Sequence, residues 1–70
     1  MENSKELPIG FSFSLTMNEN AMKFYSNLDK YSKEEVLDYI KSSSTGEEAK
    51  ERIKKAISDL EQNSLNFLLI

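Results

Sequence analysis

The chain contains no cysteine, no histidine and no tryptophan, and its 70 residues include one proline and two glycines. Without cysteine there is no disulfide framework and no thiolate nucleophile. Without histidine the usual zinc sites and the commonest general base are missing. The sequence therefore offers no catalytic, cofactor-binding or metal-ligating set, and it reads as a non-enzyme. Positive charge is also in short supply. Nine Lys plus Arg face twelve Asp plus Glu, a net charge of −3 and a pI near 4.9. That balance argues against a general electrostatic grip on nucleic acid, which needs a basic face to displace counterions.

Long apolar runs are absent too. A spanning helix needs ~20 apolar residues. The first apolar stretch, Leu7 to Met17, is broken by Pro8, Gly10, Ser12, Ser14 and Thr16, whereas a secretory signal needs an unbroken run of ~7–15. A cytoplasmic location is expected.

What is present is a globular balance, 39% apolar and 30% charged, sized for one small domain over residues 1–70. So short a chain buries a modest core, and its stability must come from well-formed helices or from a partner subunit. Residues 1–8 are expected to fray. From Ile9 to Met17 apolar residues alternate strictly with Gly10, Ser12, Ser14 and Thr16, the period of a half-buried strand. A lone strand leaves its backbone groups unpaired, and its one candidate partner is the apolar tail, Leu65 to Ile70. The rival is a helical turn with Phe11 and Leu15 facing inward.

Three amphipathic helices follow. The first starts at Asn18, a good N-cap, with Glu19 in its first turn. Ala21, Phe24, Tyr25 and Leu28 fall on one face. The second starts with Ser32-Lys33-Glu34-Glu35, read as a capping box, with Tyr31 and Val36 spaced as a hydrophobic staple. Val36, Leu37 and Ile40 form its stripe, and it ends in Ser42-Ser43-Ser44. The third, residues 46–62, opens on a second box, Thr45-Gly46-Glu47-Glu48. Ala49, Ile53, Ala56, Ile57 and Leu60 line its inner face.

Leu15, Asn18, Ala21, Phe24-Tyr25, Leu28, Glu35, Tyr39-Ile40, Glu47-Glu48-Ala49, Arg52-Ile53 and Leu60 fall without a gap on one recurring pattern. In these positions the chain resembles the helical C-terminal module of the bacterial YdeI/OmpD-associated, or bacteriocin-protection, family, over about two-thirds of its length. The resemblance implies a helical turn at Phe11–Leu15 and a kinship with small stand-alone bacterial proteins. It departs at Ala49, where the family pattern has arginine, and the β-rich domain that precedes the module in longer members is not in this sequence.

Each chemically suggestive cluster has a plainer explanation. Glu34, Glu35 and Asp38 lie close on the second helix, as a solvated face would. Lys50, Arg52, Lys54 and Lys55 concentrate charge on the third helix, but its first turn carries Glu47 and Glu48, which repel phosphate. Tyr25, Tyr31 and Tyr39 suit core or boundary packing. The serines of 42–44 have no base beside them.

The expectation is an all-α fold: three amphipathic helices preceded by a short N-terminal turn or extended segment. The expected core is Phe11, Leu15, Ala21, Phe24, Tyr25, Leu28, Val36, Leu37, Ile40, Ala49, Ile53, Ala56, Ile57 and Leu60. The tail either folds over that core or forms an apolar contact patch. The expected function is a non-enzymatic interaction module that meets a protein partner, or a second copy as a homodimer, through the N-terminal apolar segment and the tail, with Phe13, Leu65, Phe67, Leu68, Leu69 and Ile70 as the candidate contacts. The alternative function is a nucleic-acid-binding regulator using helix 46–62.

Overall fold

A computed structural model describes residues 7–68, and among them every regular element is helical. The elements are α1 (Ile9–Thr16), α2 (Glu19–Ser26), α3 (Lys30–Lys41), α4 (Gly46–Glu61) and a closing 3₁₀ turn (Asn66–Leu68). The all-α expectation holds, and the helices number four rather than three.

The added helix is α1, the segment whose alternation suggested a strand. Pro8 sits at its N-cap, where a missing N–H costs nothing, and its carbonyl accepts from Ser12 N–H at 2.9 Å. Residues two apart on a helix lie about 200° apart, so an alternating apolar set divides between opposite faces. Phe11 and Leu15 take the inner face and are fully buried. The strand alternative fails for want of a partner, because the tail folds as a 3₁₀ turn. Fraying is expected over residues 1–8, yet Leu7 packs against the core. The first six residues lie outside the described ones.

Asn18 caps α2, accepting from Ala21 N–H at 3.1 Å. The start of α3 differs from its expectation. Its cap is Asp29, which accepts both the Ser32 N–H at 3.3 Å and the Ser32 hydroxyl at 2.7 Å. With its hydroxyl engaged, Ser32 is not the cap, and the helix begins earlier. Tyr31 is thereby drawn into the first turn and faces solvent, 69% exposed, so no staple forms. Thr45 caps α4 as expected, taking Glu48 N–H at 3.0 Å. The Glu48 carboxylate reaches one residue further than a capping box requires and accepts from Ser44 N–H at 2.9 Å.

The longest helix, α4, packs against every other element and most extensively against α2. Phe11, Leu15, Ala21, Tyr25, Val36, Leu37, Ile40, Ala56 and Leu60 form the core with Phe67. Phe24, Leu28, Ile53 and Ile57 are half-buried against it. Ala49, near the start of α4, is only partly covered and belongs neither to the core nor to the apolar residues packed on it. Phe11 meets the edge of Tyr25 at 5.5 Å between centroids and 82°, an orientation favoured by the ring quadrupoles.

The tail folds back through a C-cap at the end of α4. Asn63 adopts φ 59°, a left-handed conformation that asparagine tolerates better than most residues. Asn63 N–H reaches Leu60 O at 3.0 Å and Ser64 N–H reaches Asp59 O at 2.9 Å, the paired bonds of a Schellman motif. The Asp59 carboxylate then accepts Phe67 N–H at 2.6 Å, and the Phe67 ring settles on Tyr39 at 4.9 Å.

Candidate interaction surface

The outer half of the alternating set determines the surface. Ile9, Phe13 and Met17 follow one another at intervals of four on the side of α1 opposite Phe11 and Leu15. They are 88%, 65% and 71% exposed. Large apolar side chains scattered singly on a surface are ordinary, but a contiguous row rimmed by polar residues marks a contact site. Beside the row, α1 comes close to α4: a methyl added at Gly10 would stand 3.3 Å from Ile53 Cδ1. A groove of about 580 Å³ runs between these helices, lined by Gly10, Phe13, Ser14 and Ile53, with Glu47, Lys50, Glu51 and Lys54 along its α4 wall.

The described tail residues named from the sequence as contacts, Leu65, Phe67 and Leu68, lie elsewhere. Phe67 is 2% exposed and belongs to the core. It is covered because the Asn63 turn directs it onto Tyr39, and it is not an open contact. Leu65 and Leu68 are half-buried against the same core, and Leu69 and Ile70 lie outside the described residues. Among the described residues of the named set, Phe13 alone stands on open surface. Its neighbours Ile9 and Met17 belong to the N-terminal apolar segment expected to make contact but are not singled out by the sequence reading; their signal is that a period-two apolar row becomes two-faced once wound into a helix.

Several other polar side chains are engaged within the fold. Arg52, the one arginine in the chain, donates to Tyr39 O at 2.6 Å, Ser42 Oγ at 2.7 Å and Glu48 Oε2 at 2.9 Å. Its guanidinium also lies 5.0 Å from the centre of the Tyr39 ring. It satisfies a carbonyl in the last turn of α3 and clamps that helix to α4. A shallow depression of about 730 Å³ around it is lined by Tyr39, Glu48, Lys55 and Asp59. The Ser44 amide, and then the Arg52 charge, hold the Glu48 carboxyl below its ordinary value. The Ser32 hydroxyl and amide do the same for Asp29. A hydrogen bond with Glu35, reinforced by its charge, raises the Tyr31 phenol, and burial raises that of Tyr25. Ser42 and Ser43 hydroxyls donate to the Tyr39 and Ile40 carbonyls at 3.1 and 2.7 Å, which fits their reading as helix-end residues. Among the described residues no group of three or more Asp or Glu could hold a metal ion. Nor is any helix there long and apolar enough to cross a membrane.

No family model matches this chain, and no match was found among curated proteins or solved structures.

Proposed function

We propose that the chain is a non-enzymatic protein-interaction module whose docking surface is the outer face of α1. The observation that carries this reading is the unbroken row Ile9, Phe13 and Met17, exposed beside an apolar-floored groove. A soluble domain with so few apolar residues to spend gains nothing for its own core by placing three of them outside. Of the two segments expected to make the contact, this reading keeps the N-terminal one and sets aside the tail, whose Phe67 serves the core. The resemblance to the YdeI/OmpD-associated module supplies a process for such a contact, bacteriocin or stress protection. The nucleic-acid reading is weaker, since Arg52 is engaged with Tyr39, Ser42 and Glu48 and acids alternate with the lysines of α4.

Site-specific photo-crosslinking in the producing cell tests this. A benzoylphenylalanine placed at Ile9 or Phe13 should give discrete protein adducts, and one placed at Asn27, on the exposed turn after α2, should give none. Equal labelling at all three positions, or none at Ile9 and Phe13, would refute the assignment.

A further inference from the structure

The outer row of α1 is symmetric about its middle residue, with Ile9 four positions before Phe13 and Met17 four after. The row on the α4 wall has the complementary property. Glu47, Lys50, Glu51 and Lys54 alternate in charge, and reversing their order exchanges every acid for a base. Turned end for end, the first row meets itself apolar on apolar. The second meets itself with Glu47 opposite Lys54 and Lys50 opposite Glu51.

We infer that this face takes a second copy of the chain, in a symmetric dimer whose two-fold axis crosses α1 at Phe13 and α4 between Lys50 and Glu51. The inference rests on the reading of the α1 face as a docking surface and names its occupant. A two-fold contact must be self-complementary; each row meets that condition in its own residue order, and the two midpoints, Phe13 and the Lys50–Glu51 pair, line the same groove. Charge agrees: the chain carries −3 overall, yet this row balances two acids with two bases, so the copies need not repel where they touch. Size sets the extent of the contact. A stable interface buries about 800 Å² on each partner. The molecule measures 28 × 26 × 24 Å, so the dimer needs nearly a whole face, and the α4 wall must join the α1 row. Gly10 and Ser14 keep the groove floor low, leaving about 580 Å³ for the Phe13 ring of the second copy. The apolar row drives association and the charged row sets register, since exposed ion pairs add little affinity of their own.

Light scattering and sedimentation on the full chain, from micromolar to millimolar, test the inference. The wild type should rise from 8.1 kDa toward twice that mass. Phe13→Glu, at a position that is not core, should keep its helicity and raise the dissociation constant by about 30-fold or more, as loss of a central apolar anchor does. Two further variants test the register. An all-basic row (Glu47→Lys with Glu51→Lys) and an all-acidic row (Lys50→Glu with Lys54→Glu) should each stay monomeric. Mixed in equal amounts, they should recover the dimer mass. A wild type that holds 8.1 kDa throughout overturns the second copy as occupant and leaves the docking face to the crosslinking result. A dimer that forms with unchanged affinity in Phe13→Glu overturns both. Failure of the mixture to associate, with wild-type dimers intact, overturns the two-fold arrangement.

Discussion

Replacing Phe67 with alanine should cost this fold far more than replacing Phe13, although the sequence offers both as apolar contacts. Phe67 is 2% exposed, packs its ring at a tilt against Tyr39 at 4.9 Å between centroids and has its amide bound to Asp59. Truncating a buried phenylalanine to alanine costs about 3–5 kcal/mol, and the low end suits a site near a chain end that can collapse. A domain of this length has a total stability of about 4–10 kcal/mol. At the low end, about 3 kcal/mol, the loss is roughly a third of the whole or more, and should lower Tm by about 12–24 °C at ~4–8 °C per kcal/mol. Phe13, 65% exposed, should change monomer stability by less than about 0.5 kcal/mol when cut to alanine. Urea melts followed by far-UV circular dichroism measure both. They should be run at several protein concentrations, because dimerisation makes the apparent stability concentration-dependent. If Phe67→Ala costs under ~1 kcal/mol and matches Phe13→Ala extrapolated to low concentration, the placement of the tail in the core is wrong.

Arg52→Lys should destabilise the fold by about 1–3 kcal/mol in the same melts, because an ammonium cannot reach the three acceptors that the guanidinium spans. Full stability in the lysine variant would mean that the clamp contributes only its charge. Asn63→Gly should raise stability by a few tenths to ~1 kcal/mol and Asn63→Ala lower it by ~1, since only glycine takes a left-handed φ without cost. The reverse order would contradict the Schellman turn. Stability should fall on acidification below about pH 5. The folded-state pKa values of Glu48 and Asp29 are depressed, so their contribution is present above the unfolded values and lost as pH drops through the folded ones. Glu48→Gln should flatten that slope, and an unchanged acid limb would remove Glu48 from it.

Much of the architecture is written locally. Asn18 and Thr45 announce their helices through side chains that can reach an amide three residues on, a signal that needs no tertiary context. Asp29 carries the same signal but competes with Ser32 three residues later. The competition is decided by which oxygen accepts: Asp29 has two carboxylate oxygens to offer, while the Ser32 hydroxyl can donate to it. The α1 pattern was ambiguous for a different reason. Alternation over Ile9–Met17 is compatible with one buried face of a strand or with two opposite faces of a helix, and only the absence of a pairing edge chooses between them. That choice also reveals the candidate surface, because the helix leaves Ile9, Phe13 and Met17 outside. The tail was the least legible part. Its burial depends on Asn63 turning the chain and on Asp59 holding the Phe67 amide, long-range consequences of residues that read individually as ordinary polar loop. Arg52 likewise read as surface charge, because its acceptors Tyr39 and Ser42 lie on the preceding helix and at its end.

The most direct test of the contact face is solvent exposure, residue by residue, as concentration rises. A soluble paramagnetic probe would be followed on the methyl signals of Ile9, Met17, Leu65 and Leu68. The α1 face predicts that Ile9 and Met17 become protected toward millimolar concentration while Leu65 and Leu68 stay constant. Protection of Leu65 and Leu68 with Ile9 and Met17 unchanged would return the interface to the tail and contradict the account.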